Sequence, residues 1–276
     1  MADKVVISGL ADGMGREVAK LLAAAGDSVA GFDVDAGGIE SLRKELEGTP
    51  GDHLLEVLDI TDRPGLEAFA RKTMEKLGTP DIVLSNVGIG FFSPFEEVDL
   101  EAALKCLEIN VIGAAALFQA FLPAMRERGS GKLIAMSSLV GRIPFPFESI
   151  YTASKFAING MLQSMRLEVE PFGLQVAIIE PAQVSTTFAA KIHKLPVETS
   201  PYRERVKRFI DRDNELIKGA PDPLTASKQI VECCKKECPS TYNQFQFRDT
   251  FFLYINRVLP QKLRDYILIN FMDIKV

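Results

Sequence analysis

Residues 8–15, S-G-L-A-D-G-M-G, decide the fold that this sequence predicts. The stretch joins the first short apolar run of the chain to its first segment with helical periodicity. Gly9 permits a tight turn, Gly13 lets the backbone approach a phosphate, and Gly15 allows the helix to pack closely against the strand. The N-terminus of such a helix presents free N–H groups and a partial positive charge to a pyrophosphate. The stretch therefore predicts a strand–turn–helix unit that binds a dinucleotide.

Short apolar runs alternate with helical patterns as far as Pro181. The apolar runs are nearly continuous, as expected for strands of a parallel sheet that is buried on both faces. The predicted strands are residues 4–8, 28–33, 53–58, 82–85, 132–137 and 175–179. The predicted helices are residues 14–25, 38–47, 63–77, 100–128 and 150–171. With right-handed crossovers, this order predicts a Rossmann-type α/β fold, a doubly wound and mainly parallel sheet with helices on both faces.

After Pro181 the alternation stops. Residues 186–223 contain several prolines and a partly helical pattern, and the final stretch of the chain is rich in Phe and Tyr. Because there is no internal repeat and no Gly/Ser-rich linker, we expect a single domain over residues 1–276. The expected parts are a cofactor-binding and catalytic core at 1–185, a helical substrate lid at 186–225 and a C-terminal extension at 226–276.

Composition narrows the classes of function. The 276 residues carry a net charge of −5, with a pI of about 5.3, so a broad nucleic-acid-binding surface is not expected. The histidines are isolated and the cysteines lack metal-site spacing, so we expect no metal site. The N-terminus enters a strand pattern at once and no uncharged apolar run of about 18 residues occurs, so we expect neither a targeting segment nor a membrane span. Four cysteines suit a reducing compartment, and the expected location is cytoplasmic.

The second predicted strand ends in Asp33. A carboxylate at this position can accept hydrogen bonds from both adenosine ribose hydroxyls and repels a 2′-phosphate. Asp12, inside the glycine turn, adds further negative charge. Arg16 is the one nearby cation, and its place in the first helical turn suits a solvent-facing role as well. We therefore expect NAD as the cofactor rather than NADP. The alternative is that Asp33 has only a structural role at the end of the strand.

Further motifs follow the glycine turn in a fixed order. They are D-I at 59–60, N-V-G at 86–88, I-N-V-I-G around Asn110, S-S-L-V-G with Ser138, Y-T-A-S-K with Tyr151 and Lys155, and E-P-A-Q-V-S-T ending at Thr186. The Y-x-x-x-K pattern alone is common by chance, but the whole series in this order is not. Over at least residues 4–190 the chain therefore resembles the short-chain dehydrogenase/reductase family, which implies the Rossmann-type fold and an oxidoreductase activity.

The resemblance implies a catalytic group made of Asn110, Ser138, Tyr151 and Lys155. Interconversion of an alcohol and a carbonyl with a nicotinamide moves a hydride one way and a proton the other. Tyr151 is the expected general acid/base, and Lys155, on the same helix face, is expected to lower its pKa and to hold the nicotinamide ribose. A free tyrosine titrates near pH 10, so work near neutrality needs a drop of about 3 units, to which oxidised nicotinamide also contributes. Ser138 is expected to bind the substrate oxygen, and Asn110 to hold a water linked to Lys155.

The same resemblance implies which residues hold the cofactor. Asp59 is expected at the adenine, Asn86 along the cofactor and between the central strands, and Thr186 at the nicotinamide carboxamide. The full expected set is Ser8, Gly9, Gly13, Met14, Gly15, Asp33, Asp59, Ile60, Asn86, Val87, Gly88, Tyr151, Lys155, Pro181, Val184 and Thr186. Ordinary structural roles stay open for three residues: Ser138 as a strand-end cap, Asn110 as a buried polar group of a helix, and Thr186 as a loop hydroxyl.

Apolar residues cluster in segments expected above the carboxyl ends of the strands, where folds of this kind bind substrate. The expected pocket residues are Phe91, Phe92, Ile143, Phe145, Phe147 and Phe188. They favour a small lipophilic alcohol or carbonyl substrate, although the same side chains also suit packing within the lid alone. The Phe/Tyr-rich C-terminal layout is similar to that of hydroxysteroid and retinol dehydrogenases, which implies a steroid, a retinoid or a long-chain alcohol.

The long predicted helices 100–128 and 150–171 resemble those that pair the subunits of family members. We therefore expect a homodimer, with a tetramer as an alternative, and a C-terminal tail that acts as a lid, a dimer element or a peripheral membrane contact. Three other functions stay open: a non-catalytic dinucleotide-binding sensor or scaffold, a dehydratase or epimerase of the same family, and a serine hydrolase. The first is disfavoured because all four catalytic positions are kept, and the last because no G-x-S-x-G motif with a partnered His occurs.

Overall fold

The computed structural model describes residues 2–185 and 196–275. Two residues of the predicted site, Thr186 and Phe188, lie outside the described residues. The described parts form seven parallel strands flanked by helices, which confirms the predicted α/β class and the Rossmann-type architecture.

The sheet has the strand order β3-β2-β1-β4-β5-β6-β7, and all its neighbouring strands are parallel. The strands are β1 Lys4–Ser8, β2 Ser28–Asp33, β3 His53–Val57, β4 Ile82–Ser85, β5 Gly131–Met136, β6 Leu174–Ile179 and β7 Tyr242–Asn243. The order reverses direction between β1 and β4, and the crevice at such a switch point is where doubly wound sheets bind their ligands. The six predicted strands are confirmed: β1, β2 and β4 have the predicted bounds, β3 and β6 differ by one residue at one end, and β5 is shifted by one residue.

Ten α-helices are described. They are α1 Gly13–Ala24, α2 Ala36–Glu45, α3 Arg63–Leu77, α4 Leu100–Leu107, α5 Ala114–Arg128, α6 Ser149–Val169, α7 Arg203–Lys218, α8 Pro223–Lys235, α9 Phe247–Val258 and α10 Gln261–Phe271. The predicted helix 100–128 is continuous in direction, but a π-helical segment, Glu108–Gly113, separates α4 from α5. Single π-helical turns inside α-helices often mark functional positions.

Each face of the sheet is covered by its own apolar layer. On one face, Phe69 of α3 and Phe121 of α5 pack with Phe32 of β2, with ring centroids 5.2 Å apart for Phe32–Phe69 and 6.4 Å for Phe69–Phe121. On the other face, Leu22 of α1 and Ile230 of α8 belong to a second buried cluster. Burial on both faces explains why the strands read as continuous apolar runs.

The alternation of helix and strand continues past Pro181, contrary to the interpretation of the sequence. Helix α8 packs on α1, where Ser227 Oγ donates a hydrogen bond to Met14 O at 3.1 Å. Strand β7 then pairs parallel to β6. The region 226–276, set apart in the sequence as an extension, therefore begins within α8 and contains the edge strand β7. Two residues of strand are too short to produce a recognisable hydrophobic pattern.

A third apolar cluster lies beyond the carboxyl ends of the strands. Phe209 of α7 and Met272, just after α10, are fully buried in it, and Tyr151 of α6 belongs to the same cluster. Helix α7 also binds the end of the chain through arginine side chains: Arg205 donates to Ile274 O at 3.3 Å and Arg212 to Phe271 O at 3.0 Å. Helix α7 and the C-terminal segment therefore form one packed unit over the predicted substrate side of the sheet.

One described helical stretch, Leu100–Arg128, is long and apolar enough to cross a membrane by length and composition alone. Its Phe118, Phe121 and Met125 are fully buried against the sheet. A helix that covers a sheet passes the same test as a membrane span, so this feature is weak evidence for one.

Candidate active site

The glycine turn between β1 and α1 has the geometry that its sequence predicts. Gly9 has a φ of 73° and Gly13 a φ of 56°, in the left-handed region that favours glycine. A Cβ on Gly15 would lie 2.0 Å from Gly9 O, so a side chain there would separate the helix from the turn. Asp12 caps α1 by accepting a hydrogen bond from Gly13 N at 2.7 Å. The first turn of an α-helix leaves further N–H groups without a partner within the helix.

Ser8 and Asn86 tie the two strands at the switch point together. Ser8 Oγ accepts hydrogen bonds from Asn86 N at 3.0 Å and from Val87 N at 3.2 Å. In return, the Asn86 side chain donates to Ser8 O at 3.2 Å and to Gly9 O at 2.8 Å. The predicted cofactor residues Ser8, Gly9, Asn86 and Val87 are therefore one hydrogen-bonded unit that fixes the shape of the glycine turn.

Asp33 lies at the carboxyl end of β2, beside the glycine turn. Its two carboxylate oxygens accept hydrogen bonds from Ala11 N and Asp35 N, each at 3.1 Å. The carboxylate therefore holds the loop that a bound adenosine would contact, and its remaining lone pairs point away from those backbone donors.

Arg16, the cation nearest the glycine turn, is tied to α2. It donates to Ala11 O at 2.9 Å and to Gly38 O at 3.1 Å, and its other terminal nitrogen binds Ser41 Oγ and Glu45 Oε1, both at 2.8 Å. The guanidinium lowers the pKa of the Glu45 carboxyl through this contact. The charge of Arg16 is thus matched by Glu45, and its donors are engaged by the protein.

The other predicted cofactor residues lie along the same edge of the sheet. Asp59 is exposed after β3 and accepts hydrogen bonds from Thr61 N at 2.9 Å and Thr61 Oγ1 at 2.8 Å. Ile60 is buried, and Pro181 O accepts a hydrogen bond from Leu139 N at 3.0 Å after β5. Val184 is half-buried at the end of the first described range.

Asn110 lies in the π-helical segment between α4 and α5, and its side chain binds both the N–H and the C=O group of Ile89. Its Oδ1 accepts from Ile89 N at 2.8 Å, and its Nδ2 donates to Ile89 O at 3.0 Å. The same Nδ2 donates to Ser154 Oγ of α6 at 3.0 Å. Asn110 therefore joins three elements: the segment after β4, the interrupted helix and α6. These contacts use the amide for structure, and a role in holding water stays a prediction.

Tyr151 and Lys155 lie one turn apart on the buried face of α6. Lys155 Nζ is 5.6 Å from the centroid of the Tyr151 ring and donates a hydrogen bond to Met136 O, at the end of β5, at 2.9 Å. A Cβ on Gly88 would lie 3.4 Å from both Lys155 Nζ and Asn110 Oδ1. The segment after β4, α6 and the π-helical segment therefore converge at Gly88.

Burial sets the acidity of this group. It lowers the pKa of Lys155 to about 8. It raises the pKa of Tyr151, and the nearby Glu148 raises it further, whereas a hydrogen bond with the Ser138 side chain lowers it. The direction is opposite to the one expected for a catalytic tyrosine. The protein alone does not lower the pKa of Tyr151, because desolvation of the phenolate outweighs the favourable contact with Ser138.

Ser138 also shapes the turn after β5. Its Oγ accepts a hydrogen bond from Val140 N at 3.3 Å and caps the short 3₁₀ turn Leu139–Gly141. Ser138 therefore caps the turn that follows β5 and also forms a hydrogen bond with Tyr151. A serine hydroxyl can accept one hydrogen bond while it donates another.

Five of the predicted substrate residues belong to the third apolar cluster. Phe91, Ile143 and Phe145 are buried in it, and the rings of Phe92 and Phe147 lie 5.5 and 5.7 Å from the ring of Phe209 on α7. These side chains lie in the same cluster as Tyr151, and much of their surface is used in packing against α7 and the chain end.

Glu148 was not among the site residues predicted from the sequence. It lies immediately before α6 and is buried although it is charged in water. Burial and the negative charge of Asp213 on α7 raise its pKa well above the usual range of a carboxyl. Phe147, the preceding residue, has a φ of 65°, which is unusual for a bulky residue and is typical of strained functional segments. The signal available in the sequence was a single acid within P-F-P-F-E-S, three residues before Tyr151.

Comparison with known proteins agrees with this arrangement. The family model for short chain dehydrogenases matches residues 3–195. The chain belongs to the short-chain dehydrogenase family. Human 17-beta-hydroxysteroid dehydrogenase type 1 is 33% identical over 202 residues, which is 70% of this chain and 60% of that relative, so the chain matches about three fifths of its length.

Solved structures of other short-chain dehydrogenases share the fold. One from Streptomyces avermitilis is 26% identical, with a TM-score of 0.80, and the alignment covers 96% of this chain and 94% of that one. A short-chain dehydrogenase/reductase from Burkholderia phymatum, solved in complex with NAD, is 20% identical, with a TM-score of 0.81 and 93% coverage of each chain. The family thus has a hydroxysteroid dehydrogenase among its members, and the fold neighbours of this chain include a protein solved with NAD.

The residues present suit a dinucleotide. The first turn of α1 offers backbone N–H groups for a pyrophosphate, the carboxyl end of β2 offers Asp33 for a ribose, and Lys155 offers an ammonium group beside Gly88.

Proposed function

We propose that the protein is an NAD-dependent dehydrogenase/reductase that interconverts a lipophilic secondary alcohol and its ketone, or a primary alcohol and its aldehyde. The observation that carries the proposal is the meeting of Tyr151, Lys155 and Ser138 at the same edge of the sheet as the glycine turn. Acid/base, cation and hydroxyl groups are the ones that a carbonyl reduction needs beside a hydride donor.

Each residue of this group has a separate task in the proposal. NAD, when bound, supplies or accepts the hydride. Tyr151 gives a proton to the substrate oxygen during reduction and takes it during oxidation. Ser138 donates a hydrogen bond to the same oxygen and so stabilises negative charge that develops on it. Lys155, held by Met136 O, keeps a positive charge near the Tyr151 ring below a pH of about 8.

The raised pKa of Tyr151 constrains how this group works. A buried phenol with a raised pKa stays protonated at neutral pH, so the form that gives a proton during reduction is populated and the phenolate that oxidation needs is scarce. Reduction of a carbonyl is therefore the direction favoured by the protein alone. Oxidation requires a further positive charge close to the phenol, and oxidised nicotinamide carries one. We therefore expect alcohol oxidation to be the more pH-sensitive direction.

Two contacts support NAD over NADP. The Asp33 carboxylate lies beside Ala11 N, at the place where a 2′-phosphate would meet a negative charge. The nearest cation, Arg16, is already paired with Glu45 at 2.8 Å and cannot offer its full charge to a phosphate. Preference for NAD therefore follows from repulsion by Asp33 without compensation by Arg16.

The third apolar cluster supports a lipophilic substrate. Phe92, Phe147 and Ile143 lie in it together with Tyr151, so a substrate that reaches the phenol contacts apolar side chains. The similarity to a protein named as a hydroxysteroid dehydrogenase agrees with this class. We propose a steroid, a retinoid or a long-chain alcohol.

A screen of alcohols and ketones tests the proposal. Secondary alcohols of graded size and polarity, and the matching ketones, are assayed with NAD(H) and NADP(H) by the absorbance of the reduced cofactor. We expect the highest kcat/KM for large apolar substrates with NAD(H). Binding of NAD without turnover of any member of the series would contradict the proposal and would instead indicate a dinucleotide-binding protein without catalysis.

A further inference from the structure

A cavity lies between the C-terminal helices and the segment that follows the Ser138 turn. Its volume is about 250 Å³, and its lining residues are Arg142, Ile143, Leu253, Asn256, Arg257 and Arg264. Three elements thus each contribute one arginine: the segment after β5, helix α9 and helix α10. None of the described residues that line the cavity is acidic.

The guanidinium groups around this cavity are only partly matched by protein partners. Arg142 stacks on the ring of Tyr242 at 4.2 Å and lies 3.5 Å from Glu180 Oε2, so one carboxylate offsets its charge. Arg264 buries its Nε–H, for which the described residues offer no hydrogen-bond acceptor. In the part of the chain that the structure describes, Arg257 and Arg264 have no ion pair.

Nearby acidic residues do not neutralise the positive charge of the three arginines. Glu180 is also bound by Asn159 at 2.9 Å and by Gln244 at 2.6 Å, so its carboxylate is shared among several donors. Asp249 lies one turn before Leu253 on α9 and is buried, but it is not among the lining residues. Three guanidinium groups around one small space repel each other unless an anion lies between them.

We propose that the cavity of Arg142, Arg257 and Arg264 binds the anionic group of a ligand, a phosphate or a carboxylate. Guanidinium groups bind such planar or tetrahedral oxyanions through paired, charge-assisted hydrogen bonds. The Asn256 amide adds a neutral donor, and Ile143 and Leu253 add apolar surface next to the charged part.

The size of the cavity limits its ligand. Sites that enclose a drug-sized molecule occupy roughly 300–1,000 Å³, so a cavity of about 250 Å³ suits a head group or a small anion rather than a whole cofactor. Ile143 belongs both to this lining and to the apolar cluster that contains Tyr151. An anion with an alkyl chain would therefore place its chain against the same apolar layer as the proposed substrate.

Calorimetric titration of the full chain with three probes tests the proposal: inorganic phosphate, octyl phosphate and 1-octanol. The variants are Arg257→Gln, Arg264→Gln and the double variant, and the matched control is Lys262→Gln, an exposed cation of α10 outside the lining. Titrations are run with and without NAD, because the glycine turn also presents N–H groups that attract phosphate. We expect both phosphates to bind the wild type, and each arginine variant to weaken binding at least tenfold.

The outcomes separate the sources of the anion. Tighter binding of octyl phosphate than of inorganic phosphate, lost in the arginine variants, indicates an amphiphile, whereas equal binding indicates a free phosphate. Unchanged binding in the double variant, or an equal loss in Lys262→Gln, would overturn the proposal. If Arg264→Gln fails to fold, the exposed Arg257 supplies the decisive variant. The titrations measure binding and not turnover. Their result can therefore be interpreted even if the proposed dehydrogenase function is wrong.

Discussion

Lys155 Nζ lies 5.6 Å from the centroid of the Tyr151 ring, while its hydrogen bond to Met136 O, at 2.9 Å, fixes it to the end of β5. The ammonium group is therefore held by the sheet and not by the phenol. Both groups are buried, and burial moves their pKa values in opposite directions, down to about 8 for Lys155 and upward for Tyr151. Burial therefore favours the neutral form of both groups.

Replacement of Tyr151 by Phe removes the proposed proton donor and leaves the ring in place. We expect kcat to fall by about 10²–10⁴-fold, the usual contribution of a positioned acid or base. Binding of NAD, measured by calorimetry, should change little, because the glycine turn and Asp33 are untouched. The matched control is Tyr254→Phe on α9, an exposed tyrosine that should keep wild-type activity. Wild-type turnover in Tyr151→Phe would end the acid/base assignment.

Replacement of Asp33 by Asn removes the charge of this residue and keeps one of its two acceptor oxygens. That oxygen can still accept the hydrogen bond from Ala11 N in the glycine turn, whereas the hydrogen bond from Asp35 N is lost. Loss of the charge should relax discrimination between NAD and NADP by about ten- to a hundredfold in kcat/KM, since hydrogen bonds to charged groups contribute about 1.5–3 kcal/mol. Steady-state kinetics with both cofactors give this ratio.

Two comparisons make the Asp33 test specific. Asp52→Asn removes an exposed carboxylate away from the glycine turn and should leave the ratio unchanged. Asp33→Ala also removes the hydrogen bond to the loop and should weaken NAD binding further. If Asp33→Asn keeps the wild-type preference, another group sets cofactor choice.

Glu148 predicts a pH-dependent change in stability. Burial raises its pKa in the folded protein, so between the ordinary carboxyl pKa of 4.5 and the raised value the folded state binds more protons than the unfolded state. The free energy of unfolding therefore falls as pH rises through this window. Glu148→Gln cannot ionise, so its Tm should exceed that of the wild type by a margin that grows from pH 4.5 upward. Thermal unfolding across pH, with the exposed Glu168→Gln of α6 as control, measures the margin.

The same substitution bears on catalysis. The negative charge of Glu148 raises the pKa of Tyr151, so Glu148→Gln should lower it. Alcohol oxidation needs the deprotonated tyrosine, and its pH–rate profile should move to lower pH in the variant. A profile that stays in place, in a variant with wild-type stability at low pH, would show that Glu148 does not act on Tyr151.

The sequence was sufficient for those parts of the fold that rest on local pattern. Strands buried on both faces, such as Ile82–Ser85, have few alternatives, and the glycine turn combines a strand, a tight bend and a helix start within residues 8–15. The spacing of Tyr151 and Lys155 likewise predicts one helix face. These features need no knowledge of distant neighbours.

The remainder of the site depends on contacts between distant segments. Asn110 binds Ile89, and Arg16 binds Glu45, through pairings that no local pattern encodes. The burial of Glu148 likewise depends on α7, which approaches it from beyond the sheet. The direction of the pKa shift of Tyr151 could not be predicted, because it follows from the burial of the phenol and from the negative charge of Glu148.

The exposed face of α6 predicts how two copies of the protein associate. It carries small and apolar residues: Ala153, Phe156, Ala157, Gly160 and Leu167. Small residues let two helices approach closely, and Phe156, 44% exposed, would be buried by the approach. We propose a homodimer through this face, so Phe156→Asp should convert it to a monomer of 30.4 kDa in sedimentation experiments, whereas Phe251→Asp on α9 should not. A wild type that is monomeric at micromolar concentration would refute the dimer. Dissociation by Phe251→Asp, but not by Phe156→Asp, would instead assign the dimer contact to the C-terminal helices, because Phe251→Asp removes apolar surface only there.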